Sequence, residues 1–275
     1  MKRVYSIISI LSFMFASCSG FLEEYSQDTA YVRGYEDLDE LLLGSVYMPT
    51  NAPEHMGYTY GTDGWYYPYI HLMTDEVQEN IRSSGNGASW DARERYFGYY
   101  TWQQQVGIDA LGTSIRKESS DWNKIYKHIN IANMILASID EQSTPKEEDE
   151  LEVMRIKGEA YFLRGAYYFI LVNLYGKPYT KTGAKNDLGV PIKNTEYIED
   201  KVYGRNTVEE VYAQVLADLG EAEKCLEKTV HKSIYRADIT ATYLLLSRVH
   251  LYMQNWEMAE SYAKKVLAKQ DDLRD

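Results

Sequence analysis

Residues 155–178, RIKGEAYFLRGAYYFILVNLYGKP, repeat apolar side chains at Ile156, Ala160, Leu163, Tyr167, Ile170, Leu171 and Leu174, which is helical spacing. Tyr161, Phe162, Tyr168, Phe169 and Val172 add apolar surface on the other sides. Only Arg155, Lys157, Glu159, Arg164 and Asn173 remain as strongly polar members. A helix that is apolar nearly all round is buried among other elements, so this stretch is expected at the centre of a helical domain. Gly158 and Gly165 each cost about 1 kcal/mol against Ala in a helix interior. They lie on one face, where close approach of a neighbouring helix accounts for both. Gly176 and Pro178 after the last periodic residue form a stop signal.

Working outward, Trp122, Ile125, Ile129, Ala132, Ile135 and Ile139 recur by threes and fours, with Ser120 or Asp121 as candidate N-cap. Downstream, Val208, Val211, Tyr212, Val215, Leu219 and Ala222 place a helix from a cap at Asn206 or Thr207 to about Leu226. Residues 236–269 read as two antiparallel helices joined near Gln254 and Asn255. Small residues Ser247 and Ala259, with Tyr243, Leu246, Ala263 and Val266 around them, give a tetratricopeptide-like interlock. Such a hairpin buries its apolar face only against a neighbour, so stacking is obligatory. The fold class expected is all-α, an array of tetratricopeptide-like hairpins with long aromatic-rich loops.

The wording of these helices resembles the SusD/RagB family of surface nutrient-binding lipoproteins. GEAYFLRGAYYFILVNLYGKPY is similar to the family's G-E-A-x-F-L-R-A-x-Y-Y-F-x-L-V-x-x-Y-G-x-x-P, departing mainly at Gly165, where Ala is usual. WNKIYKHINIANMIL is close to W-x-x-I-Y-x-x-I-x-x-A-N-x-x-L. Arg205, Thr207, Val208, Glu210, Val211, Tyr212, Asp218, Leu219 and Ala222 match the helix after it, with Val215 where Ile is commoner. The last hairpin, and more weakly the Leu-Leu-x-Gly segment at 41–44, are worded as in the family. The resemblance implies a SusD-like helical domain over 35–275, with a loop-rich insertion at 48–120 and helical repeats at 121–275. Members of the family run well beyond the point equivalent to Asp275, so the chain is expected to be an amino-terminal portion.

Residues 1–17 combine Lys2 and Arg3 with an apolar run from Val4 to Ala16, the pattern of a secretory signal and too short to cross a bilayer. Ala16 and Ser17 before Cys18 resemble a bacterial lipobox, with Phe15 departing from the usual Leu, and imply acylation of Cys18. Residues 18–34 then form a lipidated tether whose acidic pair, Glu23 and Glu24, resembles surface-export tethers of Bacteroidetes. Cys225, the other cysteine, falls in a helical pattern and is expected to pack as a small buried residue. A net charge of −12 argues against nucleic acid as a partner.

Residues 48–120 are broken by Gly and Pro and crowded with rings. Sugars present flat C–H faces that lie on Trp and Tyr, while their hydroxyls pair with polar side chains. Trp65, Tyr66, Trp90, Tyr99, Tyr100 and Trp102 are therefore the candidate ligand-binding rings. Asn86 and Arg93, with Asn80 and Asp91, are their polar companions. Aromatic side chains also anchor loops to helical scaffolds, and most of these rings are expected to do so. In the family, glycan contacts come from loops that include this region.

No catalytic constellation stands out. Asp75, Glu76 and Glu79 read as solvated surface in a chain with 41 acidic residues. The five histidines show no metal-ligand spacing, and GKPYTKTG at 176–183 lacks the first Gly of a phosphate loop. The expectation is a non-enzymatic binder of glycans or other nutrients, without metal or cofactor. The resemblance implies a SusC-like TonB-dependent transporter as partner and the outer membrane, through the lipid, as location. The alternative is a protein-interaction scaffold that grips a protein alone.

Overall fold

The structure, a computed structural model, describes residues 32–47, 97–98, 101–103, 111–112 and 120–271. The signal segment, Cys18, most of the tether and most of the 48–120 insertion lie outside the described residues. Six α-helices order the rest. α1 (Tyr35–Leu41) runs on through a wider π-helical turn, Leu42–Val46. It is followed by α2 (Ser120–Ser138), α3 (Glu147–Tyr175), α4 (Val208–Leu226), α5 (Ile239–Tyr252) and α6 (Trp256–Lys269). Among the described residues there is no strand, only an isolated antiparallel bridge from Leu188 to Thr207.

The central stretch is α3, at 29 residues about 44 Å long. It packs against α4 most extensively, with α2 and the α1 arm on its other sides, while α4 carries α5 and α5 carries α6. Ile156, Ala160, Leu163, Tyr167, Tyr168 and Leu171 of α3 are buried, joined by Ile125, Ile129 and Ile135 of α2 and Val211, Val215 and Leu219 of α4. Each such aliphatic side chain contributes about 1.5–3 kcal/mol on leaving water. Both α3 glycines meet α4. A Cβ on Gly158 would stand 2.7 Å from Leu226 Cγ and 2.9 Å from Cys225 Cβ, and one on Gly165 3.2 Å from Asp218 Cβ.

The helix ends follow local chemistry. Thr207 caps α4 in a reciprocal box: its hydroxyl accepts from Glu210 N (3.2 Å) while the Glu210 carboxylate accepts from Thr207 N (2.7 Å). Asn206, the other candidate, instead accepts from Ile192 N (2.9 Å) and secures the preceding connection. Ser120 is already inside α2, and so is Asp121, so neither stands at the N-cap. Gly176 does end α3, but with φ −96° it is not left-handed. What requires glycine is space, because a Cβ there would lie 2.6 Å from Val172 O.

The α5–α6 hairpin turns at Gln254, whose φ is 57°, and closes where Ser247 Oγ donates to Ala259 O over 2.8 Å, the two small residues expected to interlock. His128 and His250 are packed within their helices. Cys225 is half-buried rather than fully enclosed, because it faces the Gly158 side of α3 at the edge of the α4 contact. Burial pushes its thiol pKa up. No described helix is long and apolar enough to cross a membrane.

Candidate ligand-binding surface

Of the eight candidate ligand-binding residues, Trp102 is described. Trp65, Tyr66, Asn86, Trp90, Arg93, Tyr99 and Tyr100 lie outside the described residues, as does Cys18. Trp102 sits on a turn closed by Thr101 N to Phe97 O (3.1 Å) and Gln103 N to Gly98 O (2.9 Å), with the Thr101 hydroxyl also donating to Phe97 O. Its φ is 56°, a left-handed conformation that costs a bulky residue about 1–3 kcal/mol. The residue is 63% exposed. A large apolar ring is thus held in water on a strained backbone, where packing would ordinarily favour covering it.

Two ionic clusters, which the α3 pattern had shown only as its polar members, tie the helices together. In the first, Arg155 donates from Nη1 to Glu159 Oε1 (2.6 Å) and from Nη2 to Glu152 Oε2 (2.8 Å), and pairs with Asp39 Oδ2 (3.1 Å). Arg236, just before α5, donates from Nε to Glu159 Oε2 (2.9 Å) and from Nη1 to Asp39 Oδ2 (3.1 Å), with a further bond from Nη2 to Asp39. Tyr47 completes it, donating to Glu159 Oε2 (2.6 Å) while accepting from Ala237 N (2.7 Å). Burial opposes the charge on Asp39, but the Arg236 and Arg155 guanidiniums outweigh it and hold its carboxyl below the usual range. Burial, then Glu159, pushes the Tyr47 phenol well up. The cluster joins the 32–47 arm to α3 and to the segment that leads into α5.

In the second cluster Arg164 grips Asp218 with two bonds, Nε to Oδ2 (3.0 Å) and Nη2 to Oδ1 (2.6 Å), and donates from Nη1 to Asn133 Oδ1 (2.8 Å). Asn133 then donates to the carbonyls of Lys193 (2.9 Å) and Thr195 (3.1 Å). Tyr168 OH donates to Lys193 O and accepts from Lys193 N. Three helices therefore fix the root of the 193–203 connection, whose tip presents Ile198 and Val202 at 91% and 96% exposure. Burial raises the Asp218 carboxyl even with Arg164 beside it.

Sequence reasoning missed these clusters for an identifiable reason. The Arg155–Glu159 pair has i,i+4 spacing and was legible, but Asp39, Asp218 and Arg236 lie far away in the chain and leave no local trace.

A cleft of about 430 Å3 opens beside the first cluster, between Tyr35, Asp149, Glu152, Arg155, Val230 and Lys232. Its charges answer one another: Lys232 Nζ is 2.6 Å from Glu152, and Tyr35 OH donates to Asp149 (2.9 Å). Among the described residues no three His, Cys, Asp or Glu side chains group as a metal site.

The sequence profile of a SusD-like family, described as starch-binding and associating with the outer membrane, matches residues 66–251. Starch-binding protein SusD of Bacteroides thetaiotaomicron is 23% identical over 287 aligned residues, covering 97% of this chain and 45% of that protein. A SusD-like protein of Formosa agariphila is 28% identical over 167 residues, covering 58% of this chain and 29% of its own. The chain thus spans less than half the length of these curated relatives. Among solved structures, a SusD-like carbohydrate binding protein of Bacteroides vulgatus superposes with a TM-score of 0.61 at 23% identity, over 88% of this chain and 46% of that one. A SusD superfamily protein of the same organism gives 0.64 at 20% identity, over 87% and 48%. These likenesses bear on the fold. Together with a family profile that runs through residues 66–251, they give the chain its place: it belongs to the SusD-like family.

Proposed function

We propose that this chain captures glycans or related nutrients at the cell surface, without transforming them, and passes them to a TonB-dependent outer-membrane transporter. The observation that carries the reading is Trp102, a ring kept in solvent by a turn in a costly backbone conformation. Its support is the family, described as starch-binding and associating with the outer membrane. A saccharide would lie with its C–H face on the Trp102 ring, and its hydroxyls would be taken by polar side chains of the same insertion, for which Asn86 and Arg93 are the candidates. Capture of this kind makes and breaks no covalent bond. Anchoring would come from acylation of Cys18, since several acyl chains, at about 0.8 kcal/mol per buried methylene, hold a protein stably.

Isothermal titration against a glycan panel tests the capture. Binding of one glycan class, weakened about tenfold or more by Trp102→Ala, is expected; a tenfold loss corresponds to about 1.4 kcal/mol. Equal binding by wild type and variant overturns the role of Trp102, and binding to no glycan, with a transporter still co-purifying, favours the scaffold reading. Palmitate labelling that is lost in Cys18→Ala tests the anchor separately.

A further inference from the structure

We propose that His250 makes the seating of α6 acid-sensitive: when its imidazole takes up a proton, α6 comes away from α5 while the helices around α3 stay in place. The inference rests on the α5–α6 pair and is independent of what Trp102 binds.

His250 lies in the last turn of α5 and keeps 8% of its surface in solvent. Its Nδ1 is the one buried side-chain nitrogen or oxygen among the described residues that has no hydrogen-bond partner. A neutral imidazole tolerates this, because it carries a proton on one nitrogen and leaves the other bare. A charged imidazole does not. Both nitrogens are then N–H donors, and the one at Nδ1 lies among packed side chains with no acceptor, so the cation loses its solvation without return. Burial accordingly lowers the pKa of His250.

The ring laid against the imidazole belongs to α6. Tyr262 stacks on His250 with centroids 5.7 Å apart and planes 7° from parallel. A cation on a tyrosine face is ordinarily favourable. Here that ring is already taken, since Lys265 Nζ stands 4.6 Å from its centroid and 4.7 Å from that of Tyr243. A charged His250 would share one tyrosine with a like charge. Glu223, the α4 carboxylate that reaches this stack, is committed twice: it accepts from Tyr262 OH over 3.0 Å and from Lys265 Nζ over 2.7 Å. Elsewhere on the pair, Glu260 and Lys264 of α6 answer each other in solvent (2.6 Å), and Arg248 of α5 is exposed. The α3 side chains in the adjoining cluster, Tyr161 and Phe162, carry no charge. α6 is the element that gives. Ala259 is its one buried residue, and polar ties hold it only through Ser247 and Glu223. α3 and α4 instead meet through Ile156, Ala160, Val215 and Leu219, all fully buried. Opening α6 returns Nδ1 to water, so proton uptake favours the open state.

Amide hydrogen exchange of the 275-residue chain, with each rate divided by its intrinsic value at that pH, tests the proposal. A histidine with pKa about 6.5 in the open state and neutral in the closed one gives about tenfold more opening at pH 5.5 than at pH 7.5. Protection of α6 amides should fall by that factor, with α3 amides better protected than α6 at both pH values. In His250→Phe, which keeps a flat ring on Tyr262 and takes no proton, α6 protection should be the same at both. An equal fall in His250→Phe overturns the proposal. So does wild-type α6 protection that does not change with pH, and so does protection that α3 and α6 share at pH 5.5, since that makes the event global unfolding. If His250→Phe does not fold, proton NMR of the wild type gives the second reading. Titration of His250 in step with the loss of α6 protection supports the proposal, and titration with α6 protection intact overturns it.

Discussion

The contact between α3 and α4 makes opposite demands on two glycines that look alike in sequence. Replacing either by Ala removes the helix penalty of glycine and stabilises by about 1 kcal/mol where there is room. At Gly158 there is none: the new methyl would lie 2.7 Å from Leu226 Cγ and 2.9 Å from Cys225 Cβ, where ordinary contact begins near 3.4 Å. Leu226 is buried and cannot swing into solvent, and a Cβ atom moves only with its backbone. Forcing such an overlap into a packed interior costs about 1–3 kcal/mol, so after the gain of about 1 kcal/mol Gly158→Ala should be destabilising by up to about 2 kcal/mol net. At Gly165 the nearest atoms are at 3.2 Å and 3.3 Å, a shortfall that a few tenths of an ångström of helix movement removes. Gly165→Ala should therefore fall within about 0.5 kcal/mol of wild type, the gain and the strain offsetting each other. Urea unfolding of the three proteins at equal slope gives the comparison. A Gly158→Ala protein more stable than wild type, or a Gly165→Ala protein worse than Gly158→Ala, would refute this account of the helix contact.

The ionic clusters and caps give further expectations. Glu159→Ala strips both guanidiniums and Tyr47 of their shared acceptor and should cost about 3–5 kcal/mol, seen as a melting temperature lower by about 10 °C; a change of 2 °C or less would contradict it. Stability should fall with acid in two stages. His128 and His250, whose pKa values burial lowers from 6.5, bind fewer protons folded than unfolded, so stability starts to drop below about pH 6.5. Asp39 and Glu152, lowered from 3.8 and 4.5, repeat that sign near pH 4, while Asp218, raised by burial, works in the opposite sense. Asp39→Asn should flatten the lower stage in thermal melts taken across pH, and an unchanged slope would remove Asp39 from the explanation. Thr207→Ala should cost about 1 kcal/mol by uncapping α4, measured by the same urea titration.

How far the sequence was legible follows from the range of each interaction. Periodicity located the helices at 121–139, 147–175, 208–226 and the α5–α6 hairpin, because a buried face is written every three or four residues whatever it packs against. Close approach at Gly158 and Gly165 was legible too, since glycine in mid-helix has a cost that only crowding explains. Tertiary electrostatics was not. Arg164, Asp218 and Asn133 look in sequence like the polar edges of three helices, yet together they build a buried bridge to the 193–195 backbone. Gly176 shows the same limit in small: the stop was legible, but its cause is the Val172 carbonyl rather than a left-handed turn.

The candidate site was legible only as a composition, rings among glycines, because loop residues take their positions from scaffold contacts that no periodicity records. Trp102 shows what such a contact does. Its exposure follows from two backbone bonds, to Phe97 O and Gly98 O, that bend the chain through a left-handed residue, and nothing in the dipeptide Thr101-Trp102 announces that bend. The Arg155–Glu159–Arg236–Asp39 cluster, in turn, ties the 32–47 arm to α3 and to the start of α5 through Arg155, Glu159 and Arg236 side chains that are buried and an Asp39 that is partly so. The 32–47 arm is thus clamped by two arginines, Arg155 and Arg236.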